Sequence, residues 1–297
     1  MHITLTGGSG FVGQAMTAAL TENGHHVTLI ARSFKKHAPS DGYLQYLSAD
    51  TTKEGPWQEE VAQADAVINL TGVNIFRYWT PGNKEKIYDS RIRTTRHIVN
   101  AMDSDRETIL LNASAAGYYG DRKEDPLVES DSPGSDFLAR VCVDWEHEAF
   151  QAASKNTRVV TMRFGVVLGK NGGALAKMAL PFKFFLGGPM GSGRQWFPWI
   201  HMDDLIRGAF LALEDHGITG PVNFTAPHQV RQKEFAKALG HRLKRPAIMP
   251  LPAPVVRLFM GELGQAFLMS QRAAPKKLTD HGFTFTYPDL TSALKNC

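Results

Sequence analysis

Three glycines are spaced to hold a phosphate chain. Gly7, Gly10 and Gly13 occur in Thr6-Gly7-Gly8-Ser9-Gly10-Phe11-Val12-Gly13, directly after the apolar run His2–Thr6 and directly before a helical pattern. A strand-to-helix turn of this composition lets backbone approach a pyrophosphate, and the helix start offers free N–H groups to the anion. Gly7, Gly8, Ser9, Gly10, Phe11, Val12 and Gly13 are therefore candidates for binding a dinucleotide. A glycine triplet alone is weak evidence; the strand–turn–helix context gives this one its weight. The second strand ends Ile30-Ala31-Arg32-Ser33. An NAD-binding fold usually has Asp or Glu here, on the ribose 2′-hydroxyl. Arg32 is instead a planar cation suited to a 2′-phosphate, and Lys35 and Lys36 follow it. With Ala31 and Arg32 at the adenosine end, the expected cofactor is NADP(H). The plain alternative is a solvated arginine at a strand end.

The elements that must position these residues are legible in the first half of the chain. Apolar runs at residues 2–6, 26–31, 66–70, 108–113 and 158–164 read as strands, and the patterns at 11–23, 82–102 and 137–154 read as helices. Such alternation predicts an α/β fold, a Rossmann-type doubly wound parallel sheet with helices on both faces. Near-continuous apolar runs such as Ala66-Val67-Ile68 belong to strands buried on both sides. From residue 171 onward Gly and Pro become frequent, which predicts a smaller α/β substrate lobe over the sheet edge. The expected division is a dinucleotide-binding domain over 1–170, with 202–225 returning to it, and a lobe over 171–297.

Composition excludes several classes. The 297 residues carry 33 Lys and Arg against 29 Asp and Glu, a mild excess without an obvious basic stripe, so nucleic acid is not an expected partner. No apolar run reaches the ~18 residues of a membrane helix, and no membrane partner is expected. Two cysteines, Cys142 and Cys297, read as a reduced compartment, and the chain starts directly on a strand, so the expected location is cytoplasmic. The eleven histidines lack metal-ligand spacing with Cys or carboxylates.

Taken together these residues resemble the extended short-chain dehydrogenase/reductase superfamily, and more closely its atypical "epimerase family" branch of YfcH/YfhF-like and SulA-like proteins. The resemblance covers essentially the whole chain. It rests on the glycine loop, Asn69-Leu70-Thr71-Gly72, Ser90-Arg91, Ala113-Ser114-Ala115-Ala116-Gly117-Tyr118-Tyr119-Gly120, Arg163-Phe164-Gly165 and Gly193-Arg194-Gln195-Trp196-Phe197-Pro198-Trp199-Ile200-His201. Residues 246–294 are similar to the small domain appended in that branch. The resemblance implies that Leu70, Thr71 and Gly72 pass the adenosine ribose and phosphates, and that Ala113 and Ser114 lie near the nicotinamide. It implies that residues from Arg163 onward border the same ring. Arg91 is then placed to reach a phosphate, with an i,i+4 partner on a polar helix face as the equal alternative. Asp50 aligns loosely with the adenine side.

The superfamily's proton transfer uses Tyr and Lys in Y-x-x-x-K plus a nearby hydroxyl. Aligned on Glu146, this chain puts Leu138 at the Tyr position, Cys142 at the Lys position and Ala115 where the hydroxyl usually stands; no Tyr occurs between Tyr119 and Tyr287. Catalysis would then fall to Tyr118 or Tyr119, expected to face the cleft, with Ser114 beside them and Arg163 available to lower a tyrosine pKa. The alternative is that the rings only pack beneath the lobe. Cys142, mid-helix among apolar neighbours, reads as an inert core residue. Arg194, Trp196 and Trp199 are candidates for a pocket that takes a flat or anionic small-molecule substrate, or else weld the two lobes. His201 reads as a structural hydrogen-bonder, with Met202 or Asp203 near a helix cap. Three functions follow: an NADP(H)-dependent oxidoreductase with an atypical proton donor, a non-catalytic NADPH-binding regulator of the cell-division type, and a nucleotide-sugar epimerase. A homodimer through the helices near 82–102 and 137–154 is expected by analogy.

Overall fold

The computed structural model describes residues 1–33, 42–170 and 172–297. Lys35 and Lys36, read above as neighbours of the adenosine end, lie outside the described residues. Seven parallel strands form one sheet in the order β11 (Gly220–Phe224), β7 (Thr157–Phe164), β5 (Thr108–Ala115), β4 (Ala66–Asn69), β1 (His2–Thr6), β2 (His26–Ala31) and β3 (Leu44–Ser48). The order reverses between β1 and β4. Two loops therefore diverge there at the C-terminal edge and leave a crevice between them, the doubly wound arrangement expected of the sequence.

Burial on both faces follows from strand alternation. Ile68 and Leu111 point into one core with Met16 and Leu20 of α1 (Phe11–Glu22) and Leu205 and Ala209 of α6 (Met202–Glu214). Their chain neighbours Val67 and Leu110 point the other way. They meet Trp57 of α2 (Trp57–Ala62), Ile98 of α3 (Pro81–Ala101) and Ala149 of α4 (Phe137–Phe150). Thus α6 and β11 return to the sheet after the chain has left it.

Caps place the helices that matter for the site. Thr80 accepts from Asn83 N ahead of Pro81, which starts α3; Asp136 accepts from Leu138 N and Ala139 N, which starts α4. The expected helix over 137–154 is shorter than read: α4 ends at Phe150, and a 3-10 turn, Gln151–Lys155, closes on left-handed Asn156. The edge strand β3 was not foreseen, because Leu44-Gln45-Tyr46-Leu47-Ser48 is short and half-exposed.

The rest of the chain divides its packing: Trp199, Phe235, Leu239 and Leu290 meet in a third core, Leu278 joins the core shared by α1 and α6, and Leu127 and Ala273 pack with Tyr119. It comprises α5 (Gly173–Lys183), α7 (Gln232–Leu243), α8 (Ala253–Leu268), α9 (Lys276–Asp280), α10 (Leu290–Lys295) and three small strand pairs. These pairs are β6 (Pro126–Leu127) with β13 (Arg272–Ala273), β8 (Val166–Leu168) with β10 (Trp199–His201), and β9 (Trp196–Phe197) with β12 (Val230–Arg231). Helix α8 bends at Gly261, whose φ of 58° breaks the helical run.

Candidate functional site

At the β1/β4 crevice the glycine loop is wound as tightly as its composition allows. Gly7 has φ +75°, and a Cβ there would lie 2.6 Å from the Leu70 carbonyl carbon. A Cβ on Gly13 would lie 2.5 Å from Gly7 O and from Gly8 Cα. Gly10 is the N-cap of α1 and provides no side-chain acceptor, so the first N–H groups of the helix are left for something else to bind.

A groove of about 570 Å³ opens in front of this loop. Gly7, Ser9 and Gly10 form its floor, Ala31 and Arg32 one end, and Leu70, Thr71 and Gly72 one side. The opposite side was not foreseen: Arg77, and Lys86, Asp89, Ser90 and Arg93 along α3. The signal was present, since residues 86, 89, 90 and 93 repeat at helical spacing and share one face. Four cations therefore border the groove against two carboxylates. Of these, Asp89 pairs with Arg93 at 3.1 Å. Asp50 accepts from the Thr52 hydroxyl at 2.7 Å, and that hydrogen bond holds its carboxyl below the usual range. The Thr71 hydroxyl is buried without a hydrogen-bond partner among the described residues, an uncommon cost that a ligand could offset.

The 71–73 turn is held from behind. Asn69 Oδ1 accepts from Thr71 N at 3.1 Å and from the Thr6 hydroxyl, while its amide donates to Thr95 and Asn112. Ser90 Oγ accepts from Val73 N at 3.0 Å. Arg91 does not reach the groove. Its guanidinium passes under Gly72, where a Cβ would lie 2.9 Å from Cζ, and donates to the carbonyls of Val73 (3.2 Å) and Ile87 (2.8 Å). Burial lowers its pKa to about 10. Both bonds come from Nη1, so the guanidinium braces the 71–73 turn from behind, and Arg91 is not among the residues lining the groove where the phosphate contact was expected. Phe11 likewise turns away, its ring packed against Gly172 and Gly173, and Val12 packs on the core under α1. Gly8 faces Leu5 and Leu29, and Ala113 is buried with Ile92 and Trp145.

Beside the crevice, the ends of β5 and β7 carry a buried ionic network. Arg163 is only 2% exposed and makes a bidentate pair with Glu146 of α4, Nε to Oε1 and Nη2 to Oε2, both 2.8 Å. Its Nη1 donates to the Tyr119 hydroxyl and to Glu129 O, each at 3.0 Å. Burial works against the guanidinium charge, yet the Glu146 hydrogen bonds and charge hold it above its ordinary pKa. The Ser114 hydroxyl donates to Glu146 Oε1 at 2.6 Å. Tyr119 is fully buried, within 2.8 Å of Asn223 Oδ1, and burial pushes its pKa up to about 12.

Three expectations change here. Tyr119 does not face the cleft, Arg163 is buried with its guanidinium bound to Glu146, Tyr119 and Glu129 O, and the Ser114 hydroxyl is committed to Glu146. One physical reason covers all three: a guanidinium at a strand end must be neutralised and fully hydrogen-bonded once the sheet buries it. Tyr118 differs. Its half-buried ring lies on the Arg163 guanidinium, 3.5 Å from Cζ to ring centroid, and its hydroxyl has no hydrogen-bond partner among the described residues. On α4, Leu138 sits against the Gly117 turn, and burial pushes the Cys142 thiol up to about 12, which makes it inert.

The expected pocket of Arg194, Trp196 and Trp199 is not assembled. Trp199 is 1% exposed inside the third core because β10 pairs with β8 there. Trp196 lies between Arg231 and Arg272, 4.3 and 4.6 Å from their Cζ atoms, and donates to Glu124. Arg194 is exposed, its carbonyl accepting from Arg231. His201 is the α6 cap itself: Nδ1 accepts from Asp203 N at 3.2 Å.

Comparison with known proteins decides the kinship. The NAD dependent epimerase/dehydratase family matches residues 3–223, and a domain of unknown function, DUF1731, matches residues 251–297. The chain belongs to this epimerase/dehydratase family. Within the family it is 40% identical to the epimerase family protein YfhF of Bacillus subtilis, over 99% of this chain and 97% of that one. The chloroplastic SDR39U1 homolog of Arabidopsis thaliana is 37% identical over 99% and 86%. Among solved structures, human epimerase family protein SDR39U1 with NADPH superposes with a TM-score of 0.86 at 32% identity, covering 99% and 98%. UDP-glucuronic acid 4-epimerase from Bacillus cereus, at 17% identity and TM-score 0.81, shares the fold.

Proposed function

We propose that the chain is an NADP(H)-dependent oxidoreductase in which Tyr118, rather than a residue of α4, supplies the proton. The observation that carries the cofactor reading is the cationic rim of the groove: Arg32 at the end of β2, with Arg77, Lys86 and Arg93 along the opposite side. A 2′-phosphate needs such cations, and a site for the bare ribose would favour a carboxylate at residue 32. The Gly7 cradle and the unpartnered Thr71 hydroxyl fit the dinucleotide itself. Gly7 to Gly10 would hold the pyrophosphate and Leu70 to Gly72 the ribose side. The human relative with NADPH supports the same choice.

When bound, the cofactor exchanges hydride with substrate carbon; the protein must move one proton at the substrate oxygen. With the chain aligned on Glu146, Leu138 and Cys142 fall at the positions the superfamily gives to Tyr and Lys; Leu138 has no titratable proton and Cys142 is buried in the core. Tyr119 is buried and Ser114 already donates to Glu146. Tyr118 keeps a hydroxyl with no hydrogen-bond partner among the described residues, its ring held on the Arg163 guanidinium. The burial of Ser114 and Tyr119 also favours a second reading, binding without turnover.

The test is fluorescence titration with NADPH and NADH, then NADPH oxidation against carbonyl and quinone substrates. NADPH should bind at least about tenfold tighter, and Arg32→Asp should abolish that preference. Equal affinities sink the cofactor reading. Tyr118→Phe should lower kcat by about 10²–10⁴ without changing NADPH affinity; an unchanged kcat sinks the proton assignment. Tight NADPH binding with no turnover of any substrate favours the second reading.

A further inference from the structure

Two segments of the C-terminal half, residues 173–194 and 235–261, concentrate an unusual surface. They hold eight of the 33 Lys and Arg and none of the 29 Asp and Glu, so the remainder carries 25 cations against 29 anions. The whole positive excess of the chain is therefore on these two segments. Nine of the twelve exposed large hydrophobics among the described residues are there too. Coincidence of exposed apolar groups with unbalanced cations is the signature of a surface that lies on an anionic bilayer.

The two segments meet as one edge. Met249 N donates to Gly187 O at 3.1 Å and Leu251 N to Pro189 O at 2.9 Å. Phe184 (67% exposed), Phe185 (58%) and Leu186 lie on one side of this seam and Ile248 (79%) on the other. Lys183, Lys244 and Arg245 are exposed on the same segments, and the Arg245 guanidinium lies 4.8 Å from the Phe185 ring. Further along, α8 exposes Leu258 (79%) and Phe259 beside Arg257.

The backbone at this edge is strained in a way that keeps a ring exposed. Helix α5 ends with Leu186 N donating to Pro181 O and Phe185 N to Phe182 O, the paired bonds of a Schellman motif. The residue in its left-handed position is normally glycine; here it is Phe185, at φ +60°. Backbone geometry alone would favour glycine, and apart from the Arg245 guanidinium on its face the ring stays largely exposed, at 58%.

We propose that this edge docks on an anionic lipid surface, with Phe184, Phe185, Leu186 and Ile248 entering the interface and Lys183, Lys244 and Arg245 at the headgroups. This revises the expectation that no membrane is a partner, which rested only on the lack of a spanning helix. A second copy of the chain fits less well, because a two-fold interface through this edge would bring together two cationic surfaces with no Asp or Glu on either segment to pair them. The proposal does not depend on the cofactor reading.

The test is flotation of the full chain with vesicles of phosphatidylcholine alone and with about one-third phosphatidylglycerol. Binding is expected on the anionic vesicles only, and weaker as salt rises. Phe185→Gly removes the ring and relieves the backbone, so the melting temperature should hold or rise while partitioning falls about tenfold. Lys244→Glu with Arg245→Glu should lower it about as much. Failure to bind anionic vesicles overturns the proposal, as does binding that Phe185→Gly leaves unchanged. A dimer in solution that Phe185→Gly dissolves, or equally strong binding to polyglutamate, overturns it in favour of a second copy or an acidic protein.

Discussion

Glu146→Leu should be among the most damaging single changes in the chain. The Glu146 carboxylate accepts both forks of the Arg163 guanidinium at 2.8 Å and the Ser114 hydroxyl at 2.6 Å, and the side chains are 5% and 2% exposed. Leucine removes the counter-charge and leaves a buried cation and a buried hydroxyl without acceptors. Breaking a buried ion pair from one side costs about 3–5 kcal/mol. With an unfolding entropy of ~2.1 cal/mol/K per residue over 297 residues, that is a fall of about 5–8 °C in melting temperature. Arg163→Met added to Glu146→Leu removes the stranded cation, and the double variant should recover part of the loss. Recovery stays incomplete because the Tyr119 hydroxyl and Glu129 O then lose their donor. The assay is calorimetry on the two single variants and the double. If Glu146→Leu lowers the melting temperature by less than about 2 °C, or the double variant loses as much as the two singles together, then Arg163 is not a charge held in a dry site.

Two further outcomes follow from the same geometry. Burial lowers the pKa of His201, against opposing effects from Asp203 and Asp204 and a smaller one in the same direction from Lys170; its ring packs 4.0 Å from that of Tyr287. With the folded pKa below the unfolded value of 6.5, the unfolded chain binds the extra proton first, so stability falls as pH drops through and below about 6.5. Asparagine keeps a cap acceptor without titrating. His201→Asn should therefore shrink the melting-temperature difference between pH values on either side of that window, and an unchanged difference refutes the assignment. Gly7→Ala places a methyl group 2.6 Å from Leu70 at φ +75°. It should cost about 2–5 kcal/mol from the left-handed backbone and overpacking together, and abolish measurable NADPH binding; wild-type affinity in that variant would remove the loop from the site.

Sequence alone was enough to specify five of the seven strands of the sheet and the turn at its crevice. Strands at 2–6 and 26–31 and the glycine loop are local: each rests on residue types and spacings that act within a dozen residues, through alternation, helix starts and the freedom of Gly7 at positive φ. Arg32 was legible for the same reason, since the end of a strand is a fixed point in this fold. The partners of charged and aromatic side chains were not legible. Arg163 meets Glu146, seventeen residues away, and the Tyr119 hydroxyl meets Asn223, 104 residues away. Which groups must satisfy a buried guanidinium is decided only when β5, β7, β11 and α4 close around it. Trp199 and Trp196, three residues apart, show the same division. Their pattern announces aromatics near a cleft, but β10 pairing with β8 takes one into the core, while Arg231 and Arg272 hold the other at the surface. Local backbone demands were therefore read from the chain itself, whereas burial and charge pairing, which depend on what distant segments bring to the same place, were decided by the tertiary structure.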